Sequence, residues 1–182
     1  ETKYKSYFES NYNQIHLMQW TFAYPFENTN QEILLYYTTV DGISPSVKSA
    51  VITKYKNAMN GSENLPAVSG QKDPFLAHIK DYTWGSNSIK AKKGLMFTNL
   101  VYYNINPPEN ELATEAAENY IHYLHGVNPL NMVYLSNMYN FDAENCVNEF
   151  YHSWFTNGST KWDRVGESTY GPAPGFLTGG PN

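Results

Sequence analysis

Three carboxylates toward the C-terminal end, Glu149, Asp163 and Glu167, stand in a stretch that also holds His152, Trp154 and Arg164. Carboxyl groups facing a cleft can give or take a proton, and an imidazole or guanidinium can hydrogen-bond a polar substrate. A flat ring such as Trp84 or Trp154 can stack on the apolar face of such a substrate. Against that reading, an Asp or Glu in a polar helix or loop is usually just solvated, and a single His among aromatic residues is as well explained by a hydrogen-bonded core position. Cys146 is the only cysteine, which rules out an intrachain disulfide framework and a thiolate cluster, and reads as a buried thiol. No Cys/His cluster has zinc spacing, and the acidic residues do not form a calcium-binding EF-hand loop.

The 182 residues suffice for one domain with a sizeable core, and 41% hydrophobic content argues against disorder. The 16 Tyr, 9 Phe and 4 Trp exceed what a simple helical core needs, so some rings must line a binding surface or fill loops. A net charge of −5 with scattered Lys and Arg offers no basic stripe for a phosphate backbone, which excludes nucleic acid as a natural partner. No run reaches the roughly 18 apolar residues of a membrane span, so no membrane partner is expected. The opening residues Glu1 to Lys5 form neither a signal nor a transit peptide.

Positioning these groups falls mostly to helices. Residues 3–19 read as a frayed helix or loop and residues 31–39 as a helix stopped by Asp41-Gly42. Ser44-Pro45 supplies an N-cap with proline at the first helical position, followed by a stripe of Val47, Ala50, Val51, Tyr55 and Ala58. Residues 62–83 read as an excursion with a short helix around 75–79. Trp84-Gly85-Ser86-Asn87 opens a helix with Met96, Leu100 and Tyr103 on one face, and residues 109–124 form the clearest helix, with Ala113, Ala116, Ala117, Tyr120, Ile121 and Leu124 on one face and Gly126 as its stop. Residues 132–136 and 144–152 are shorter helix candidates, and residues 156–182 are mostly loop. With no sustained alternation of apolar and polar residues, the expected class is all-α.

Trp84-Gly85-Ser86-Asn87, then Tyr123-Leu124-His125-Gly126-Val127-Asn128-Pro129, then Pro172-Ala173-Pro174-Gly175-Phe176-Leu177-Thr178-Gly179-Gly180-Pro181-Asn182 follow one another over about 100 residues. In that order they resemble the C-terminal half of the catalytic module of glycoside hydrolase family 9. The resemblance implies part of an (α/α)6 barrel with long aromatic-rich loops, residues 1–182 being one portion of a single catalytic domain that is incomplete at both ends. It further implies a secreted endo-β-1,4-glucanase that hydrolyses cellulose or related β-glucan with inversion, using a general base and a general acid on opposite sides of the bond.

In the family the base comes from an Asp-Ala-Gly-Asp type motif, which this sequence lacks, and the acid is a Glu beyond the Gly-Gly-Pro-Asn loop. Both are expected outside this chain, with the remaining segments of the module as partners and no hydrolysis by residues 1–182 alone. The resemblance assigns substrate binding to His152 in part, since the usual Pro-His-His-Arg surroundings are replaced, and offers Arg164 as a guanidinium for sugar hydroxyls. Trp84 and Trp154 become stacking platforms for glucose rings. Trp84 is the stronger of the two because it precedes a helix N-terminus, the end where these barrels place their cleft. Trp20 and Trp162 read as core or rim. Asn128-Pro129 and Gly179-Gly180-Pro181 read as shapers of loop geometry. Members often bind calcium or zinc, but no residue here places either ion, and no other cofactor is identifiable. The alternative reading is a non-catalytic carbohydrate-binding or interaction module that reuses half of such a barrel.

Overall fold

The computed structural model describes residues 2–150 and 163–181, which leaves His152, Trp154 and Trp162 outside the described residues. Helices dominate: α1 (Thr2–Asn11), α2 (His16–Trp20), α3 (Asn28–Tyr37), α4 (Pro45–Met59), α5 (Leu65–Ser69), α6 (Ser86–Tyr102) and α7 (Asn110–Leu124). Four short strands follow: β1 (Val133–Ser136), β2 (Cys146–Val147), β3 (Glu149–Phe150) and β4 (Asp163–Arg164). The chain divides into two compact units, Glu1–Lys80 with Lys92–Asn119, and Asp81–Ala91 with Tyr120–Asn182. The fold is therefore mostly α, and the all-α expectation is corrected by the strands of the second unit.

The first unit is built on apolar stripes at helical spacing. Val47, Val51, Tyr55 and Ala58 on α4 are buried as their spacing requires, with Leu34 and Leu35 of α3 and Met96, Phe97 and Leu100 of α6 also in the core. Tyr55 is wholly buried, and its hydroxyl donates to the Met96 carbonyl at 2.9 Å. That bond satisfies the one polar atom of a large core ring, and burial pushes its phenol well above the usual range. Ser44 occupies the N-cap position with Pro45 behind it, but its side chain does not cap. Its hydroxyl and backbone N–H donate to Glu9 at 2.6 and 2.9 Å, and Tyr37 donates to the same carboxylate at 3.2 Å. These donors hold the Glu9 carboxyl below its ordinary value.

The predicted short helix at 75–79 is not there. The helix of this excursion is α5, which has Pro66 in its first turn where a missing N–H costs nothing, while Asp73 turns the chain ahead of residue 75 by accepting the Phe75 N–H at 2.9 Å.

In the second unit α7 ends as its sequence predicts. Gly126 adopts φ +116°, the Val127 N–H reaches back to the His122 carbonyl at 3.0 Å, and a side chain at residue 126 would be strained in that conformation. Asn128 completes the stop. Its Nδ2 donates to the Tyr123 and Met132 carbonyls at 2.7 and 2.8 Å, and its Oδ1 accepts from the Leu130 N–H at 3.1 Å. Residues 132–136 and the described part of 144–152, expected as helices, are instead strands. β1 pairs in parallel with β2, Val133 opposite Cys146, and bridges Leu177 of the tail through Leu135. β3 and β4 pair antiparallel, Glu149 opposite Arg164. Partners 10 to 42 residues away supply these backbone hydrogen bonds, which no local period announces. Cys146 is buried, as its type suggested.

Candidate functional site

The first and third of the sequence motifs meet in space within the second unit. Gly85 turns the chain at φ +82° so that α6 starts at Ser86, and the Ser86 hydroxyl donates to the Pro181 carbonyl at 2.6 Å. The Asn87 N–H, one of the first-turn donors that a helix leaves without an internal acceptor, is capped by the Gly179 carbonyl at 3.1 Å. Asn87 Nδ2 donates to the Thr178 carbonyl at 3.2 Å. Gly180 sits at φ +85° with its Cα against the Asn87 side chain, so close that a Cβ there would stand 2.5 Å from Asn87 Cγ. Thus the glycine is required twice, by backbone conformation and by contact.

On its other side the tail is held by β1. Ser136 Oγ donates to the Ala173 carbonyl at 2.6 Å, Asn137 Nδ2 donates to the Pro172 carbonyl at 2.8 Å, and the Thr178 N–H donates to the Tyr134 carbonyl at 3.0 Å. The result is an open groove of about 480 Å³ lined by Met132, Tyr134, Val147, Glu149, Phe150 and residues 177–180. Its walls are apolar and aromatic, with one carboxylate and the edge of a glycine loop supplying polar atoms.

Trp84 precedes this anchored helix start and is 84% exposed. Its indole is displayed to solvent one turn of chain from the Ser86 contact with the tail. Behind the same turn Lys90 is wholly buried, its ammonium 3.7 Å from the centre of the Tyr123 ring and 4.9 Å from that of Tyr82. A cation over ring faces takes the place of part of its lost hydration.

Arg164 lies across from Glu149 and is engaged by two carboxylates. Its Nε and Nη2 donate to Glu149 Oε2 at 2.8 and 2.6 Å, and Nη1 donates to Glu167 Oε1 at 3.0 Å. These bonds, that to Glu149 first, raise its already high pKa, so it is a permanent cation paired with the carboxylate that lines the groove. Asp163 is buried at 6% exposure. Of the three carboxylates that the sequence offered, Glu149 and Glu167 are spoken for structurally: they converge on one guanidinium and do not face one another across a substrate-sized gap. Sequence reasoning named Arg164 and Glu149 separately and missed their pairing, because 15 residues separate them and only the β3–β4 ladder makes them neighbours. Lys90 was missed altogether, since nothing in its local pattern distinguishes it from a surface lysine.

Among the described residues no group of three or more His, Cys, Asp or Glu side chains is placed to hold a metal ion.

An exposed indole ahead of the anchored helix start, and an apolar groove with a carboxylate in its lining, are surfaces of the kind that sugars can use. The chain belongs to glycosyl hydrolase family 9, whose family model it matches over residues 1–182. No curated protein and no solved structure matches it. Membership implies glycoside hydrolase function with a polysaccharide as substrate.

Proposed function

We propose that residues 1–182 are the C-terminal portion of the catalytic domain of a secreted, inverting endo-β-1,4-glucanase, part of an (α/α)6 barrel, and carry scaffold and part of the cleft. In an inverting enzyme the two carboxyl groups stand roughly 6.5–9.5 Å apart, one activating water and one protonating the leaving oxygen. Here both are supplied by segments outside residues 1–182. The observation that carries this reading is the exposed Trp84 on a helix start that the Gly179-Gly180-Pro181 loop holds in place. It is supported by the engagement of Glu149 and Glu167 with Arg164, which leaves neither arranged as an acid–base partner of the other. His152 and Trp154 join Trp84 and Arg164 as the residues proposed to contact the glucan.

Stacking on one face of an indole removes roughly 50–80 Å² of apolar surface from water, worth about 1–2 kcal/mol at 25 cal/mol per Å². Titration of the protein with soluble β-1,4-linked glucose oligomers should therefore show Kd rising about fivefold to thirtyfold in Trp84→Ala. Equal affinities would refute the platform. Release of reducing ends from carboxymethylcellulose by the purified 182-residue chain is expected to be nil, and turnover free of longer protein would overturn the placement of acid and base elsewhere.

A further inference from the structure

One carboxylate oxygen at the groove of the second unit has no partner among the described residues. Glu149 lines that groove, and Arg164 Nε and Nη2 both donate to its Oε2, at 2.8 and 2.6 Å. A guanidinium fork set against a carboxylate commonly takes both oxygens, whereas here it takes one. Oε1 is left over on a side chain that is 32% exposed.

The other polar side chains of the described lining are used or shut off. Thr178 Oγ1 donates to the Tyr134 carbonyl at 3.0 Å, and the Tyr134 hydroxyl is buried away from solvent. A ligand seated in the groove therefore meets apolar walls from Val147, Phe150 and Leu177, the edge of the glycine loop, and one charged acceptor. That acceptor is held in place. Glu149 stands opposite Arg164 in the β3–β4 ladder, the Arg164 N–H donates to Ser168 Oγ at 2.9 Å, and Glu167 takes Arg164 Nη1 at 3.0 Å. A group fixed before the ligand arrives adds nothing to the ordering cost of binding.

From this geometry we infer that Glu149 Oε1 accepts a hydroxyl of a sugar ring seated in the groove, with Arg164 as the residue that positions it. The occupant follows from the chemistry of the lining. A carboxylate already paired with a guanidinium gains little from a second cation, yet its remaining lone pairs bind a neutral O–H strongly. Apolar walls suit the C–H face of a pyranose, whose hydroxyls project around its rim to meet such an acceptor. The inference rests on the polysaccharide reading above and adds to it a polar contact distinct from stacking on Trp84. Its test separates the two.

That test titrates the 182-residue protein with soluble β-1,4-glucose hexamer by calorimetry and compares Glu149→Gln, Glu167→Gln and Trp84→Ala. In Glu149→Gln the one oxygen stays on Arg164 and an NH2 faces the groove, so an acceptor becomes a donor. Glu167→Gln is the control, because it removes a carboxylate from the same guanidinium but lies outside the described lining. We expect Kd to rise about tenfold in Glu149→Gln and less than twofold in Glu167→Gln. Melting temperatures of both should move by no more than about 3 °C, since both ion pairs are partly exposed. Glu149→Asp keeps the charge beside Arg164 but withdraws the carboxylate by one methylene, and should also weaken binding; it decides the matter if Glu149→Gln fails to fold. Parent-like affinity in Glu149→Gln or Glu149→Asp overturns the inference, and leaves the polysaccharide reading standing if Trp84→Ala binds weakly. Equal losses in Glu149→Gln and Glu167→Gln trace the effect to the guanidinium and likewise overturn it. No hexamer binding by the parent protein removes the polysaccharide reading and the inference together.

Discussion

Gly180→Ala is the most exacting perturbation of the site. A Cβ at residue 180 would stand 2.5, 2.6 and 2.7 Å from Asn87 Cγ, Oδ1 and Nδ2, and the backbone there has φ +85°. The left-handed conformation costs an alanine about 1–2 kcal/mol, and crowding a wholly buried neighbour adds about 1–3 kcal/mol. Asn87 cannot move outward at small cost, because it is fully buried and its amide holds the Thr178 carbonyl. The expected loss is about 3 kcal/mol, a fall of roughly 6–12 °C in melting temperature for a chain of this size, followed by near-ultraviolet circular dichroism. Asn87→Ala deletes the three atoms that the new methyl would strike, so in that background Gly180→Ala should cost only its backbone component. The cycle should show a coupling of about 1–3 kcal/mol. A loss below about 0.5 kcal/mol, or strictly additive costs, would refute the clamp between the helix start and the tail.

The remaining predictions concern charge and ring display. Hydrogen bonds from His78 and then Lys72 hold the Glu63 carboxyl down to about 2. Its folded pKa is depressed, so its contribution is complete above the unfolded value near 4.5 and is lost as pH falls through 2. Glu63→Gln should flatten the acid limb of a stability–pH profile by on the order of 1–2 kcal/mol after solvent screening, and an unchanged limb would exclude the bridge. Lys93, 4% exposed and bonded to the Glu63 carbonyl at 2.6 Å and to Asn64 Oδ1, is lowered by burial to about 8. Between pH 8 and 10 the unfolded chain binds the extra proton, so stability should rise with pH by on the order of 2 kcal/mol. Lys93→Met should abolish that rise, and urea titrations at pH 8, 9 and 10 would detect its persistence. Trp84→Ala should weaken glucan binding without altering melting, since an indole 84% exposed contributes little to packing.

Helices were legible where an apolar stripe was long enough to declare a period. The face of α4, the Ser44-Pro45 start and the Gly126 stop could be read from residue order, because each depends on interactions within four or five residues; on α7 Ala113, Ala116, Tyr120 and Leu124 are buried as read, but Ile121, placed on the same face, is 55% exposed. The family, too, was legible, since three motifs in series cover about 100 residues. What sequence could not reveal depended on partners far along the chain. β1 is four residues long and owes its backbone pairing to Cys146 and to the tail, so its Val-Tyr-Leu-Ser run read as helix. Ser44 looked like a cap, but Glu9 of a different helix took its hydroxyl. Glu149 and Arg164 read as two independent site candidates until a ladder set them opposite each other. Local order determines where helices begin and end because its hydrogen bonds are local; which carboxylates are occupied and which rings face water is settled by tertiary contacts that no short window contains.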